Sequence, residues 1–464
     1  MTARDHARAI WQAALAAGDV APLVRAQLRV DPPHRRVLVL GCGKASGAMA
    51  RAAEEVLGDR VAGGFVVVKD GYTVPLQRVR LAEAGHPVPD ERGLAAATRL
   101  LELAGSAGED DLVLFLVSGG GSALTPAPAA PVTLAEKQQV TRLLLGAGAT
   151  IGELNAVRKH LSRFKGGLLA RAAWPATVLT LALSDVIGDP LDVIASGPTA
   201  PDPTTFATAL EVLERRRVRV RTPASVLDRL QAGLKGEVGE TPKPGDRVFS
   251  RVTNLVIGNN ALITNAAVAA AQRLGYRPHF LTRELQGEAR EVARELIERA
   301  RALDPTACLV AGGETTVTVK GQGKGGRCQE FALAAALELR PGDGFTVLAA
   351  GTDGTDGPTD AAGAIVDGET VGRGRAAGAD PERALDDNDA HRFLRASGDL
   401  LVSGPTNTNL LDLYVLLRSR HGARVVSSSL CVPVVSAALV AGALFAPGWL
   451  KRAARFLEAV AEGR

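Results

Sequence analysis

Cysteine is scarce in this chain of 464 residues: Cys42, Cys308, Cys328 and Cys431 lie far apart and make no C-x-x-C pair. That spacing argues against a zinc ribbon or a disulfide framework and makes a reducing cytoplasm the expected compartment. An excess of one charge is also missing. The formal net charge is +4, with Lys and Arg interleaved among acids and not gathered in a stripe, so there is no nucleic-acid footprint. The N-terminal stretch carries Arg4, Asp5, Arg8 and Asp19 among its apolar residues, which suits an amphipathic helix and not the uncharged core of a signal peptide. Internal repeats and low-complexity tracts are absent from the sequence. The seven histidines are dispersed, and no H-E-x-x-H, G-x-S-x-G or Ser-His-Asp pattern stands in a convincing context. Hydrolase chemistry therefore lacks its nucleophile or its metal.

What is present is a hydrophobic share of 46% against 22% charged residues, enough to bury a core without staples, over a length that fits two domains. From Arg36 onward the pattern is apolar strand, glycine turn, amphipathic helix. Val37–Leu40, Leu112–Val117 and Ala176–Leu183 are short apolar runs closed by small or acidic residues, the signature of parallel strands buried on both faces of a doubly wound sheet. The expected fold class is α/β: an N-terminal Rossmann-like α/β/α domain with a mostly parallel sheet, followed by a second α/β domain. The stretch from Ala232 to Arg251 is rich in Gly, Pro and charge, so the predicted division is 1–235, a linker at 236–250, a second domain at 251–418 and an extension at 419–464. The second series is expected to open with strands at Asn254–Gly258, Ala307–Ala311, Thr315–Lys320 and Phe345–Ala350, with helices near Ala261–Leu274 and Glu288–Leu303. In the extension, Val425 to Ala446 holds no charged residue but includes Pro433 and a run of serines. Its length would allow a membrane span, whereas its composition favours a packed helix or a non-catalytic extension.

Glycine loops with charged residues stand at the ends of the predicted strands, where doubly wound folds bind ligands. Gly41, Cys42, Gly43, Lys44, Ala45, Ser46 and Gly47 follow a strand and open a helix, so amides and a lysine can hold an anion there. The run is neither a Walker A loop nor G-x-G-x-x-G. Ser118, Gly119, Gly120, Gly121 and Ser122 form a second candidate phosphate loop. Asn155 to His160 groups Arg158, Lys159 and His160, continuing to Lys165; Arg158 and Lys165 are candidates to hold a substrate carboxylate. Asp185 and Asp189 follow the strand ending at Leu183, where a carboxylate serves as magnesium ligand or general base, or simply caps a helix. Gly312 and Glu314 end another strand, Arg327 follows a glycine-rich loop, and Asp353, Asp356 and Asp360 punctuate a third loop. Glycine-rich loops carrying Lys, Arg and Asp are the parts of phosphoryl transfer, with Asp353 and Asp356 as further Mg²⁺ candidates.

Eight ordered segments, GCGKASG, GHPVPDERG, SGGGSAL, ELNAVRKHLSRFKGG, LSDVIGDPLDVIASGPT, GGETTVTVKGQGKGGRCQE, AAGTDGTDGPTDAAGAIVD and SGPTNTNLLDLYVLL, resemble the glycerate 2-kinase family with its C-terminal MOFRL domain. The resemblance implies two α/β domains with the MOFRL region at about 306–417, and an active site in the cleft between them. It also implies D-glycerate and ATP as small-molecule substrates, Mg²⁺, and 2-phosphoglycerate as product. It pairs Lys44 with Arg327 in catalysis and points to Asp185, Glu314, Asp353 and Asp356 as site residues. Where the family commonly has Asn after this arginine the chain has Cys328, so an amide is replaced by a weakly polar thiol. An NAD(P)H-dependent hydroxypyruvate reductase is the leading alternative, since members of the family have carried that label, and a sugar-acid binding protein comes third. No motif specifies an oligomer, though a homodimer is compatible with the sequence.

Overall fold

Strands buried on both faces need helices on both sides, and the chain supplies them by alternating the two elements. The computed structural model describes residues 1–28 and 34–418. Six strands form the first sheet: β1 (Val37–Cys42), β2 (Val61–Lys69), β3 (Val79–Ala84), β4 (Leu112–Val117), β5 (Thr177–Leu183) and β6 (Val252–Gly258). Their order is β3-β2-β1-β4-β5-β6 and every pairing is parallel. β1 and β4 are buried along their whole length, as apolar runs without alternation require. The order reverses direction between β1 and β4, which opens a crevice at their carboxyl ends.

The second sheet holds β7 (Arg277–Phe280), β8 (Ala307–Gly313), β9 (Phe345–Gly351), β10 (Gly363–Asp367), β11 (Leu400–Leu401) and β12 (Asp412–Arg418), in the order β11-β10-β9-β12-β8-β7. It is mixed: β7 and β8 run parallel, while β12 lies antiparallel between β8 and β9. Asp412, at the start of β12, therefore stands beside Gly313 and Gly351, the ends of its neighbours.

Two expectations need correction. β6, expected in the second series, pairs instead with β5, Val252 standing opposite Val178. The polar stretch before it is a long surface connection, and an apolar run carries no mark of which sheet it will join. The predicted strand Thr315–Lys320 is not one; only Thr316 bridges, to Glu288. Helices at Asn260–Arg273 and Ala289–Arg301 occupy their expected places.

The first helix, Ala3–Ala17, packs on the helix Asn260–Arg273 and reaches β9, β10 and β12. Ile10 and Trp11 are buried in one core cluster with Met49, Ile263, Val310 and Val415, so a single apolar layer runs under elements of both sheets. No helix among the described residues is long and apolar enough to cross a membrane. The apolar segment Val425–Ala446 lies outside the described residues.

Candidate active site

Adjacent parallel strands bring their following loops together, and here both loops are rich in glycine. Gly43 to Ser46 follow β1 and Ser118 to Ser122 follow β4. The Lys44 N–H donates to the Gly119 carbonyl at 2.9 Å, and the Ala45 N–H donates to Ser118 Oγ at 2.9 Å. A Cβ on Gly43 would lie 2.3 Å from Ser118 Oγ, and its φ is +134°, so close approach and backbone angle both demand glycine. The interlocked turns leave the Lys44 side chain pointing to Asp353, which follows β9 of the other sheet, and the two form an ion pair. Burial opposes both charges, yet Asp353 holds the Lys44 ammonium above its ordinary range while Lys44 holds the Asp353 carboxyl below its own.

Asp185 follows β5. Burial pushes its carboxyl up, with the Lys44 charge opposing and Asp353 adding to the rise. Its Oδ2 accepts a hydrogen bond of 2.8 Å from Asn409 Nδ2, in the loop before β12. Gly119 lies directly against this pair: a Cβ there would meet Asn409 Nδ2 and Asp185 Oδ2 at 2.0 Å each.

Arg327 is the first residue of the helix Arg327–Glu338. Its Nε and Nη2 donate to the two oxygens of Asp412 at 2.6 and 3.0 Å, and its Nη1 lies 2.6 Å from Glu314 Oε1. Asp412 is wholly buried and also accepts from the Tyr414 hydroxyl at 3.0 Å. Burial works against the guanidinium, but Asp412 and Glu314 raise its pKa, fixing a planar, permanently charged fork in place. Burial raises the Glu314 carboxyl, with Arg327 pulling it down.

Several candidates also make contacts within the protein. Asp356 accepts from the Cys328 and Gln329 N–H groups at 3.1 and 2.8 Å. Burial pushes its carboxyl up to about 7 against those bonds. It thus caps the helix that presents Arg327, each oxygen accepting one of the helix's first N–H groups. Asp189 Oδ2 accepts from Asn259 Nδ2 at 2.5 Å. Ser46 Oγ donates to the Leu116 carbonyl at 3.0 Å, and Ser118 Oγ is taken by Ala45. Gly41 and Gly312 are strand positions pressed against Leu116 and Asn260. The Cys328 side chain is buried in the core, and its thiol lies against Asp412, the carboxylate that holds Arg327.

Of the cationic run, Lys159 pairs with Asp192 and Asp202, and His160 bonds the Ala156 carbonyl and Glu240. Arg158 and Lys165 are brought together in a cavity of about 410 Å³ beside Gly120 and Ser122. Among the described residues no three His, Cys, Asp or Glu side chains converge as a metal cluster. Asp185 and Asp353 are the expected ligands that do act on Lys44.

Asn409, Asp412, Tyr414 and His86 join the site although none stands in a glycine loop after an apolar run. His86 borders Gly120, and burial with the Lys44 and Lys69 charges lowers its pKa to about 4, leaving a neutral ring. The signal for Asp412 was an acid opening an apolar strand.

Residues 6–231 match the domain of unknown function DUF4147, and residues 307–412 match the MOFRL family. A D-glycerate 2-kinase of Thermotoga maritima is 46% identical over 388 residues, covering 82% of this chain and 90% of the relative. A protein of Agrobacterium vitis whose name is that of a hydroxypyruvate reductase is 41% identical over 426 residues, 90% of this chain and 95% of that one. A crystal structure of a glycerate kinase from Thermotoga maritima aligns with a TM-score of 0.78 at 42% identity, covering 89% of this chain and 99% of that one.

Proposed function

The chain belongs to the glycerate kinase family that joins a DUF4147 domain to a MOFRL domain, and on that premise we propose that it phosphorylates D-glycerate at the C2 hydroxyl, with ATP as donor, giving 2-phosphoglycerate and ADP. The observation that carries this reading is the meeting of Lys44 with Asp353 and of Asp185 with Asn409, which gathers charged groups from the ends of both sheets at the two glycine loops.

Phosphoryl transfer needs in-line positioning and neutralisation of charge on the transferring group. Lys44 and Arg327 supply the positive charge on the equatorial oxygens. The loop Gly119 to Ser122 can offer backbone N–H groups to phosphate oxygens, apart from that of Gly121, which donates to the Ser118 carbonyl, and Arg158 and Lys165 add anion-holding groups beside them. Asp185, whose carboxyl is raised by burial, is suited to take the proton of the attacking hydroxyl. Asp353, joined by Asp185 where that carboxylate serves as ligand instead of base, would hold Mg²⁺, which would neutralise phosphate charge when bound. The dispersed thiols support a cytoplasmic location.

The reductase reading has two supports, the relative from Agrobacterium vitis and a strand order shared with dinucleotide-binding folds. Against it, the acid at the end of β2, where a ribose would be held, is Asp70, and Arg92 clamps both its oxygens at 2.6 and 2.8 Å. The deciding experiment is turnover of D-glycerate with ATP and Mg²⁺, with the product read by phosphorus NMR. A 2-phosphoglycerate resonance is expected. Consumption of NADH with hydroxypyruvate, without ADP release from glycerate, would replace the kinase reading with the reductase.

A further inference from the structure

The cavity of about 410 Å³ beside the second glycine loop has more room and a different lining than a three-carbon acid calls for. Sites of about 300–1,000 Å³ hold ligands of drug size. At its inner end are three basic side chains, Lys137, Arg158 and Lys165. Lys165 Nζ donates to the Ser122 carbonyl at 2.8 Å, and Lys137 Nζ donates to the Pro126 and Leu161 carbonyls at 2.7 and 3.2 Å. Both lysines are buried, and no carboxylate lines the cavity. Burial alone lowers the Arg158 guanidinium to about 10. Buried amines whose only partners are carbonyls hold their protons poorly until an anion pairs with them, so they favour an anionic occupant.

Its outer wall is apolar. Val88 and Leu145 are 63% and 56% exposed there, large side chains left open to water where a flat apolar group could cover them. The position of the cavity sets the direction of its occupant. Gly120 lines it and touches the active centre, since a Cβ at Gly120 would stand 3.2 Å from the His86 ring and 3.6 Å from Lys44 Cγ. An anionic chain lying along the loop would pass Gly120 and end at Lys44.

Resting on the phosphorylation reading, we infer that this cavity takes the nucleoside end of the phosphoryl donor. The base covers Val88 and Leu145, the inner phosphates meet Arg158 and Lys165, and the terminal phosphoryl reaches Lys44. Arg158 and Lys165 then serve the donor and not the acceptor carboxylate.

Thr141→Trp fills the cavity from the helix Leu134–Gly146, and Leu145→Asp replaces the exposed apolar wall with little demand on folding. For both variants, titration calorimetry with a non-hydrolysable ATP analogue and steady-state kinetics give the test. The analogue's Kd and the KM for ATP should rise about tenfold or more, with the KM for D-glycerate held within about twofold. A raised KM for D-glycerate at unchanged ATP would hand the cavity to the acceptor, and no change in either would empty it of a role. The calorimetry stands apart from turnover: analogue binding lost in the variants of a protein that never phosphorylates glycerate would retain the cavity and remove the kinase reading.

Discussion

Lys165 illustrates how a binding group costs stability. The side chain is 1% exposed, and burial lowers its pKa to about 7, below the ordinary 10.5. Between those values the unfolded chain binds the proton and the folded one does not, so stability rises with pH across that window and the whole penalty stands below about pH 7. Lys165→Met removes the penalty and loses the hydrogen bond to Ser122. A net gain on the order of 2 kcal/mol is expected near pH 6, shrinking toward zero or below near pH 10, as measured by denaturant unfolding. Catalysis should fall in the same variant. Asp412 is the opposite case, a buried carboxylate whose partner is close at hand and whose charge is therefore tolerated. Lys44, Asp185, Glu314, Arg327 and Asp353 were legible because each stands near glycine after an apolar run. Asp356 and Asp189 share that pattern and also accept from amides of the protein itself, a partnership that no local pattern shows.

At the scale of elements, the second glycine loop is shaped by what it lies against. Gly119 needs no unusual φ; it needs the absence of a side chain, because Asp185 and Asn409 occupy the space a methyl would fill. Gly119→Ala should part that pair and lower kcat by about 10²-fold, the scale of an ångström's misplacement of a reacting group. Gly372→Ala is the control, since a Cβ there meets nothing within 4 Å. Kinetics and thermal melts of the two variants give the comparison, and equal activity in both would remove Asp185 from the machinery. The helix Arg327–Glu338 shows the same logic: it has no side-chain cap of its own, and Asp356 serves from a different loop.

At the scale of the molecule, the first helix ties the second sheet to the core. Arg4 reaches Asp367 and Asp399 at 2.8 and 2.7 Å, Asp399 being 1% exposed. Thr2 and Asp5 close a capping box, and Trp11 is buried against the shared apolar layer. Removing Met1–Gly18 should lower Tm by at least about 5 °C, by uncovering the helix Asn260–Arg273. Turnover should fall with it, since Lys44 and Asp353 come from different sheets. Differential scanning calorimetry and the glycerate assay measure the two effects, and an unchanged Tm would show that the helix is not part of the core.

By itself the sequence determined the elements and most of the chemistry at their ends, because burial on both faces writes an apolar run and a phosphate-binding turn requires glycine. It also carried the family, through eight ordered segments. Only the tertiary structure decided partnership. β6 joins the first sheet, the first helix serves the second, and β12 runs antiparallel, so that its beginning, with Asn409 and Asp412, meets the ends of other strands. Strand direction and sheet membership are set by packing between segments far apart in the chain, and an apolar run reads the same in either direction and in either sheet.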